Sequence, residues 1–261
     1  MANDSGPPEL VLFDLGGVLC RFEPDRRAAE LAAAIGVTED EIHALVFASG
    51  FDQECDLGIH SETAILERFR RLGFPGDRDE LRRAWAKAFI PDRAVIDLAI
   101  ALRSEGVVVA TLSDNGPVLL AAIESVVTPS AIDEHVFSCM LGATKPEPAA
   151  FLAALELLDA RPQQTFFVDD NPVNVLSARR LGIRGEQANK AADVESALRS
   201  VGLLRAHSVR QKQGLTKTRS DRNKKAPHPI SQVRGFAAPP AGLEPSTVRL
   251  TVQVKGALGR D

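Results

Sequence analysis

Three apolar runs in this chain end abruptly in polar residues that could do chemistry. Leu10–Phe13 (LVLF) runs into Asp14, Val107–Leu112 (VVVATL) into Ser113-Asp114-Asn115, and Thr165–Val168 into Asp169-Asp170. Lys145 lies between the last two. A carboxylate attacks phosphorus only if its repulsion from a phosphate dianion is cancelled. That reaction needs a nucleophilic Asp, a divalent cation with acidic ligands, and a fixed positive charge near the phosphate. Asp14, the pair Asp169-Asp170, and Lys145 are the residue types required, and Ser113 and Asn115 can donate hydrogen bonds to phosphate oxygens. Mg²⁺ prefers oxygen ligands and usually keeps several waters, so one or two carboxylates suffice to hold it.

The elements that must position these groups follow from periodicity. Continuous apolar runs of this length suit strands buried on both faces, and Gly16-Gly17 provides a tight loop after the first. From Asp25 to about Lys87 the pattern is helical. Asp25–Ile35 is rich in Ala and Leu, Thr38 opens a capping box with Glu41, and Ser61–Leu72 and Asp79–Phe89 read as amphipathic helices. No strand-like alternation interrupts this stretch, so residues 22–90 read as an all-helical cap. A helix after Pro91 ends near Glu105 at Gly106. Val136–Leu141 is a shorter strand candidate, Pro148–Leu158 a helix, and Pro172–Leu181 a helix closed by Gly182. After Ile183, RGEQAN is too polar for a good strand. The alternation of strands and helices predicts an α/β fold, a Rossmann-like parallel sheet core (residues 9–21 and 91–204) with the helical cap inserted. In such sheets ligands gather beyond the carboxyl ends of the strands.

Composition sets the bounds. The 261 residues are 44% hydrophobic and 25% charged, ordinary for a globular protein, and no apolar run is long enough to span a bilayer. The N-terminal nine residues do not resemble a signal peptide. Cys20, Cys55 and Cys139 are an odd number, scattered without metal-ligand spacing, which fits a reducing cytoplasm; Cys20 and Cys139, in or beside apolar runs, read as small core residues. The net charge of −4 conceals an acidic body and a basic tail. Residues 205–261 hold twelve Lys/Arg against three Asp/Glu. An acidic body argues against nucleic-acid binding by the main domain. The tail reads as disordered, with Val248, Leu250, Val252 and Val254 alternating as in a strand but lacking an evident partner. His43, His60 and His135 show no ligand spacing and read as surface residues.

Four segments, FDLGGVL (13–19), LSDN (112–115), KPEP (145–148) and FVDDNPVN (167–174), resemble in order and spacing the four motifs of the haloacid dehalogenase superfamily. The helical insert resembles the C1-type cap of subfamily IA, and the resemblance covers about residues 9–204. Any one of these residues alone has a plainer reading: Asp14 a turn residue, Ser113 a helix cap, Lys145 a solvated lysine, Asp169-Asp170 an acidic helix start. The resemblance implies a Mg²⁺-dependent phosphatase acting on a small phosphorylated metabolite, with no membrane partner; a homodimer is compatible with it. Asp14 would be the nucleophile, Ser113 and Asn115 would bind phosphate, and Lys145 would balance charge. Asp14, the Gly16 carbonyl and Asp170 would hold the metal, with Asp169 supporting it or holding Lys145.

The chain departs from the superfamily at Gly16, where most such phosphatases carry a second Asp as general acid. DLGGV, with DLGIHS (56–61) in the cap, resembles the branch that includes α-D-glucose-1-phosphate phosphatases. Glu23, Asp52 and Asp56 are the candidates to supply the missing proton. Sugar phosphates are a natural substrate class, because an anomeric oxygen leaves easily. The competing functions are a metal-independent 2-haloacid dehalogenase and a catalytically weak domain with a binding or regulatory role.

Overall fold

Successive residues of the first strand feed opposite layers. In the computed structural model, which describes residues 6–204, Val11 and Phe13 of β1 (Leu10–Phe13) join one apolar cluster and Leu10 and Leu12 join another on the far side. This is the period-2 signature of a strand covered on both faces. All four residues are at most 4% exposed, and burying each such side chain contributes about 1.5–3 kcal/mol.

After β1 the chain enters a short ribbon in which β2 (Cys20–Phe22) pairs antiparallel with β3 (Phe89–Pro91). Between these strands lie α1 (Pro24–Ile35), α2 (Glu39–His43), a π-helical turn (Ala44–Ala48), α3 (Phe51–Asp56), α4 (Glu62–Arg71) and α5 (Arg78–Ala86). The caps are local and readable. Thr38 and Glu41 form the expected box, Ser61 accepts from the Ala64 N–H, and Asp77 with Glu80 forms a second box. The chain then follows α6 (Arg93–Ser104), β4 (Val108–Ser113), α7 (Pro117–Ala122), β5 (Glu134–Phe137), α8 (Ser138–Leu141), α9 (Pro148–Leu157), β6 (Thr165–Asp169), α10 (Pro172–Arg180), β7 (Arg184–Gln187) and α11 (Ala191–Ser200).

The five-stranded sheet has the order β5-β4-β1-β6-β7, and every pairing is parallel. Phe13 stands opposite both Thr111 and Val168, so the residues that follow these three strands emerge at one edge. The fold is the Rossmann-like α/β core expected from the sequence.

Several local expectations are corrected. The insert is not purely helical at its margins: α5 stops at Ala86, and Phe89 turns into β3, where it packs on Phe22 with ring centroids 5.0 Å apart. Such a cross-strand aromatic pair stabilises a ribbon too short to be read from alternation. The segment 136–141 is split, because β5 ends at Phe137 and a helical turn takes Ser138–Leu141. RGEQ does form a strand, β7, which among the described residues pairs only with β6. An edge position tolerates the polar side chains that a central one would not. His135 is half-buried rather than on the surface, with Nδ1 3.1 Å from the Thr111 hydroxyl. The expectations for the tail and for the Val248–Val254 alternation lie outside the described residues. Among the described residues no helix is long and apolar enough to cross a membrane.

Candidate active site

Parallel register carries Asp14 off the end of β1, Ser113 to the end of β4 and Asp169 to the end of β6. Lys145 arrives from the loop before α9 and is 7% exposed. Its Nζ lies 2.9 Å from Asp14 Oδ1 and 2.8 Å from Asp169 Oδ2. Burial alone would discharge an ammonium. The Asp14 and Asp169 carboxylates, with Asp114 behind them, outweigh that and keep Lys145 firmly protonated, its pKa raised above the usual lysine range.

Asp14 answers the same environment from the other side. Burial pushes its pKa up to about 6, with the Asp169 charge adding to the rise while Lys145 and the Leu15 N–H oppose it. Both of these donors act on one oxygen: the Leu15 N–H donates to Oδ1 over 2.7 Å, the same atom that Lys145 approaches. Among the described residues no hydrogen bond reaches the other oxygen.

Asp169 is fully buried and saturated. Its Oδ1 accepts from the Asn171 N–H and the Asn174 amide, and its Oδ2 from Lys145 and the same Asn174 amide. Asn171 also caps α10 by accepting from the Val173 N–H, and Pro172 occupies the first turn, where its missing N–H costs nothing. The tight turn between β6 and α10 therefore fixes Asp169 and leaves the neighbouring Asp170 half-buried and turned toward the first loop. Gly17 sits directly against the Asp170 carboxylate at φ +86°. A side chain there would collide with that carboxylate and strain the backbone. The preceding residue, Gly16, forms an isolated bridge with Cys20 through the Gly17 N–H and the Cys20 carbonyl.

One oxygen from each of Asp14, Asp169 and Asp170 lies within 4.8 Å of the others. The set is all carboxylate, without His or Cys, and so suits a hard, oxygen-seeking cation such as Mg²⁺.

Ser113 and Asn115 meet on the other flank. The Asn115 amide donates to Ser113 Oγ over 2.9 Å, leaving the serine its own hydrogen to donate outward. Asp114, expected as a turn residue, accepts the Lys145 N–H over 3.0 Å and fixes the lysine loop. Three supporting residues went unassigned in the sequence. Asn174 holds Asp169, Ser177 donates to the Pro146 carbonyl over 2.6 Å, and Ser138 accepts the Asn115 N–H while donating to the Asp56 carbonyl. Asn174 and Ser177 stand three apart on α10, a spacing that puts both on one face. Ser138 offered no signal of this kind.

The sequence matches the haloacid dehalogenase-like hydrolase family over residues 8–182. The chain belongs to that family. Among relatives of this hydrolase, the D-ribitol-5-phosphate phosphatase of Bacteroides thetaiotaomicron is 26% identical over 197 residues, covering 70% of this chain and 93% of its own. A phosphatase of Mycobacterium tuberculosis is 28% identical over 204 residues, covering 72% and 90% respectively. A family enzyme from B. thetaiotaomicron, solved with magnesium and inorganic phosphate, superposes with a TM-score of 0.57 at 23% identity over 70% of this chain and 95% of its own. At that identity the last comparison speaks for the fold.

Proposed function

We propose that this hydrolase is a Mg²⁺-dependent phosphatase that takes the phosphoryl group of a small phosphorylated metabolite onto Asp14 and passes it to water. The observation that carries the reading is the Asp14 carboxylate held through one oxygen by Lys145 and the Leu15 N–H. A carboxylate fixed in this way keeps its second oxygen for attack on phosphorus.

Mg²⁺ bound by Asp14, Asp170 and the Gly16 carbonyl would offset the charge of the phosphate dianion and of the nucleophile. Asp169, already saturated by four hydrogen bonds, acts by holding Lys145 in place. Ser113 donates its hydroxyl hydrogen to a phosphate oxygen, and Asn115 sets the orientation of that hydroxyl. Lys145 supplies the fixed positive charge. Asp14 attacks phosphorus, the ester P–O bond breaks, and an aspartyl phosphate forms. Water then attacks the same phosphorus and returns the Asp14 carboxylate. Retention of both Asp169 and Asp170 favours this chemistry over metal-free dehalogenation.

For the substrate we infer a phosphorylated sugar or polyol. The similarity to a D-ribitol-5-phosphate phosphatase supports that class. The test is phosphate release from a panel of monoesters, including ribitol 5-phosphate and hexose 1-phosphates, with and without Mg²⁺. Release should require both Mg²⁺ and Asp14 and vanish in Asp14→Asn. Turnover that survives in Asp14→Asn would refute the assignment.

A further inference from the structure

An alkoxide is a poor leaving group, and Gly16 provides no acid beside the nucleophile. In an in-line displacement the leaving oxygen departs opposite Asp14, away from the strand ends and toward the helices that cover them. Three acids of the insert were candidates to meet it there, and the structure separates them. Glu23 is paired with Arg21 over 2.6 Å and Arg26 over 2.8 Å. Asp52 is held by Arg27 over 3.1 Å, and that guanidinium is itself 2% exposed and stacked 4.4 Å from the Trp85 ring centre. Asp56 makes no such bond: among the described residues its carboxyl has no hydrogen-bond or salt-bridge partner.

The backbone of Asp56 is nevertheless clamped against the phosphate-binding flank. Its carbonyl accepts the Ser138 hydroxyl over 2.7 Å, Ser138 Oγ accepts the Asn115 N–H over 3.0 Å, and the Asn115 amide reaches Ser113. The preceding residue, Cys55, packs so closely on Gly116 that a side chain there would stand 3.0 Å from the cysteine Cβ and 3.2 Å from its carbonyl. Three hydrogen bonds therefore separate the end of α3 from the serine of the phosphate pocket.

The geometry points to Asp56 as the acid that protonates the leaving oxygen, an inference that rests on the phosphatase reading above. In the first step the Asp14 oxygen bonds to phosphorus, the ester P–O bond breaks, and the Asp56 carboxyl proton goes to the departing oxygen. The products are an alcohol, the aspartyl phosphate and an Asp56 carboxylate. In the second step that carboxylate takes one proton from the attacking water as the P–O bond to Asp14 breaks, which restores both residues.

The surroundings suit the task. Asp52 faces Asp56 from one turn earlier on α3, Arg27 from α1, and Asp114 from the end of β4, with the Cys139 thiol nearby on α8. Burial, with Asp52 and Asp114 adding to it and Arg27 opposing, pushes the Asp56 carboxyl up to about 8, so it carries its proton at neutral pH.

The experiment compares kcat/KM of the full-length protein with Mg²⁺ on two esters, for the wild type, Asp56→Asn and Asp56→Glu. Phenyl phosphate has a leaving group that needs a proton; p-nitrophenyl phosphate has one that leaves without it. Asp56→Asn should lose about 10²–10⁴-fold on phenyl phosphate and little on p-nitrophenyl phosphate. On phenyl phosphate the wild type should lose kcat/KM as pH rises through about 8, and Asp56→Asn should not. Asp56→Glu should regain part of the rate. An equal loss on both esters, or no loss on either, would overturn the assignment while leaving the Asp14 reading intact. Absence of Asp14-dependent release from the wild type would overturn both.

Discussion

The Lys145 ammonium lies 2.9 Å from Asp14 and is held there by an Asp169 carboxylate with no exposure of its own. One buried cation thus serves two buried anions, and removing it strands both. Breaking a buried pair from one side typically costs about 3–5 kcal/mol. Lys145→Ala should therefore lower the urea unfolding free energy by about that amount. It should also reduce kcat by about 10²–10³-fold, as loss of a preorganised charge at the reacting group does. Adding Asp14→Asn to it should return part of the stability but none of the activity. A double variant no more stable than Lys145→Ala would show that Asp14 is not the stranded charge.

Gly17→Ala separates backbone strain from metal binding. Gly17 and Gly36 both sit near φ +85°, but only at Gly17 would the new methyl group meet Asp170; at Gly36 nothing among the described residues lies within 4 Å. Each substitution should cost about 1–2 kcal/mol of stability from the left-handed backbone. Only Gly17→Ala should also raise the Mg²⁺ concentration needed for half-maximal activity, by about 10–100-fold. Titrating both variants with Mg²⁺ checks this, and equal responses would exclude the Asp170 contact as the cause.

His135 gives the core a pH dependence of its own. Burial lowers its pKa from 6.5 to about 4, so the folded state resists the proton that the unfolded chain accepts. The sign follows from that depression: the contribution is fully present above pH 6.5 and is lost as pH falls through about 4. A shift of this size corresponds to roughly 3 kcal/mol. His135→Gln keeps a partner for the Thr111 hydroxyl and cannot titrate. Its unfolding free energy should change less than that of the wild type between pH 7.5 and pH 4.5, and identical slopes would assign the acid sensitivity to other groups.

The sheet and its polar strand ends were legible because apolar runs and their abrupt terminations are local signals. Asp14, Ser113, Lys145 and Asp169 could be named from spacing, and the parallel register explains why residues so far apart in the chain converge. The supporting contacts were not legible. Ser138 joins Asn115 to Asp56 across 82 positions, and no local pattern encodes a contact made only when two separate helical segments close on one another. The RGEQ strand is hidden for a related reason, since its polarity is acceptable only at the sheet edge. The choice among Glu23, Asp52 and Asp56 likewise depended on arginines whose partners the sequence does not reveal.

The β2–β3 ribbon has a further consequence. Cys20 and Pro91 are register partners, as are Phe22 and Phe89, so the chain leaves the sheet layer and returns to it through adjacent points. In connectivity the whole helical roof is one enlarged hairpin loop. Its length can change without moving a single rung of the parallel sheet, while Asp14 stays at the foot of the stem. Asp14 and the acid proposed at Asp56 thus belong to separately built stretches of one chain, joined by a stem of three residues on either side.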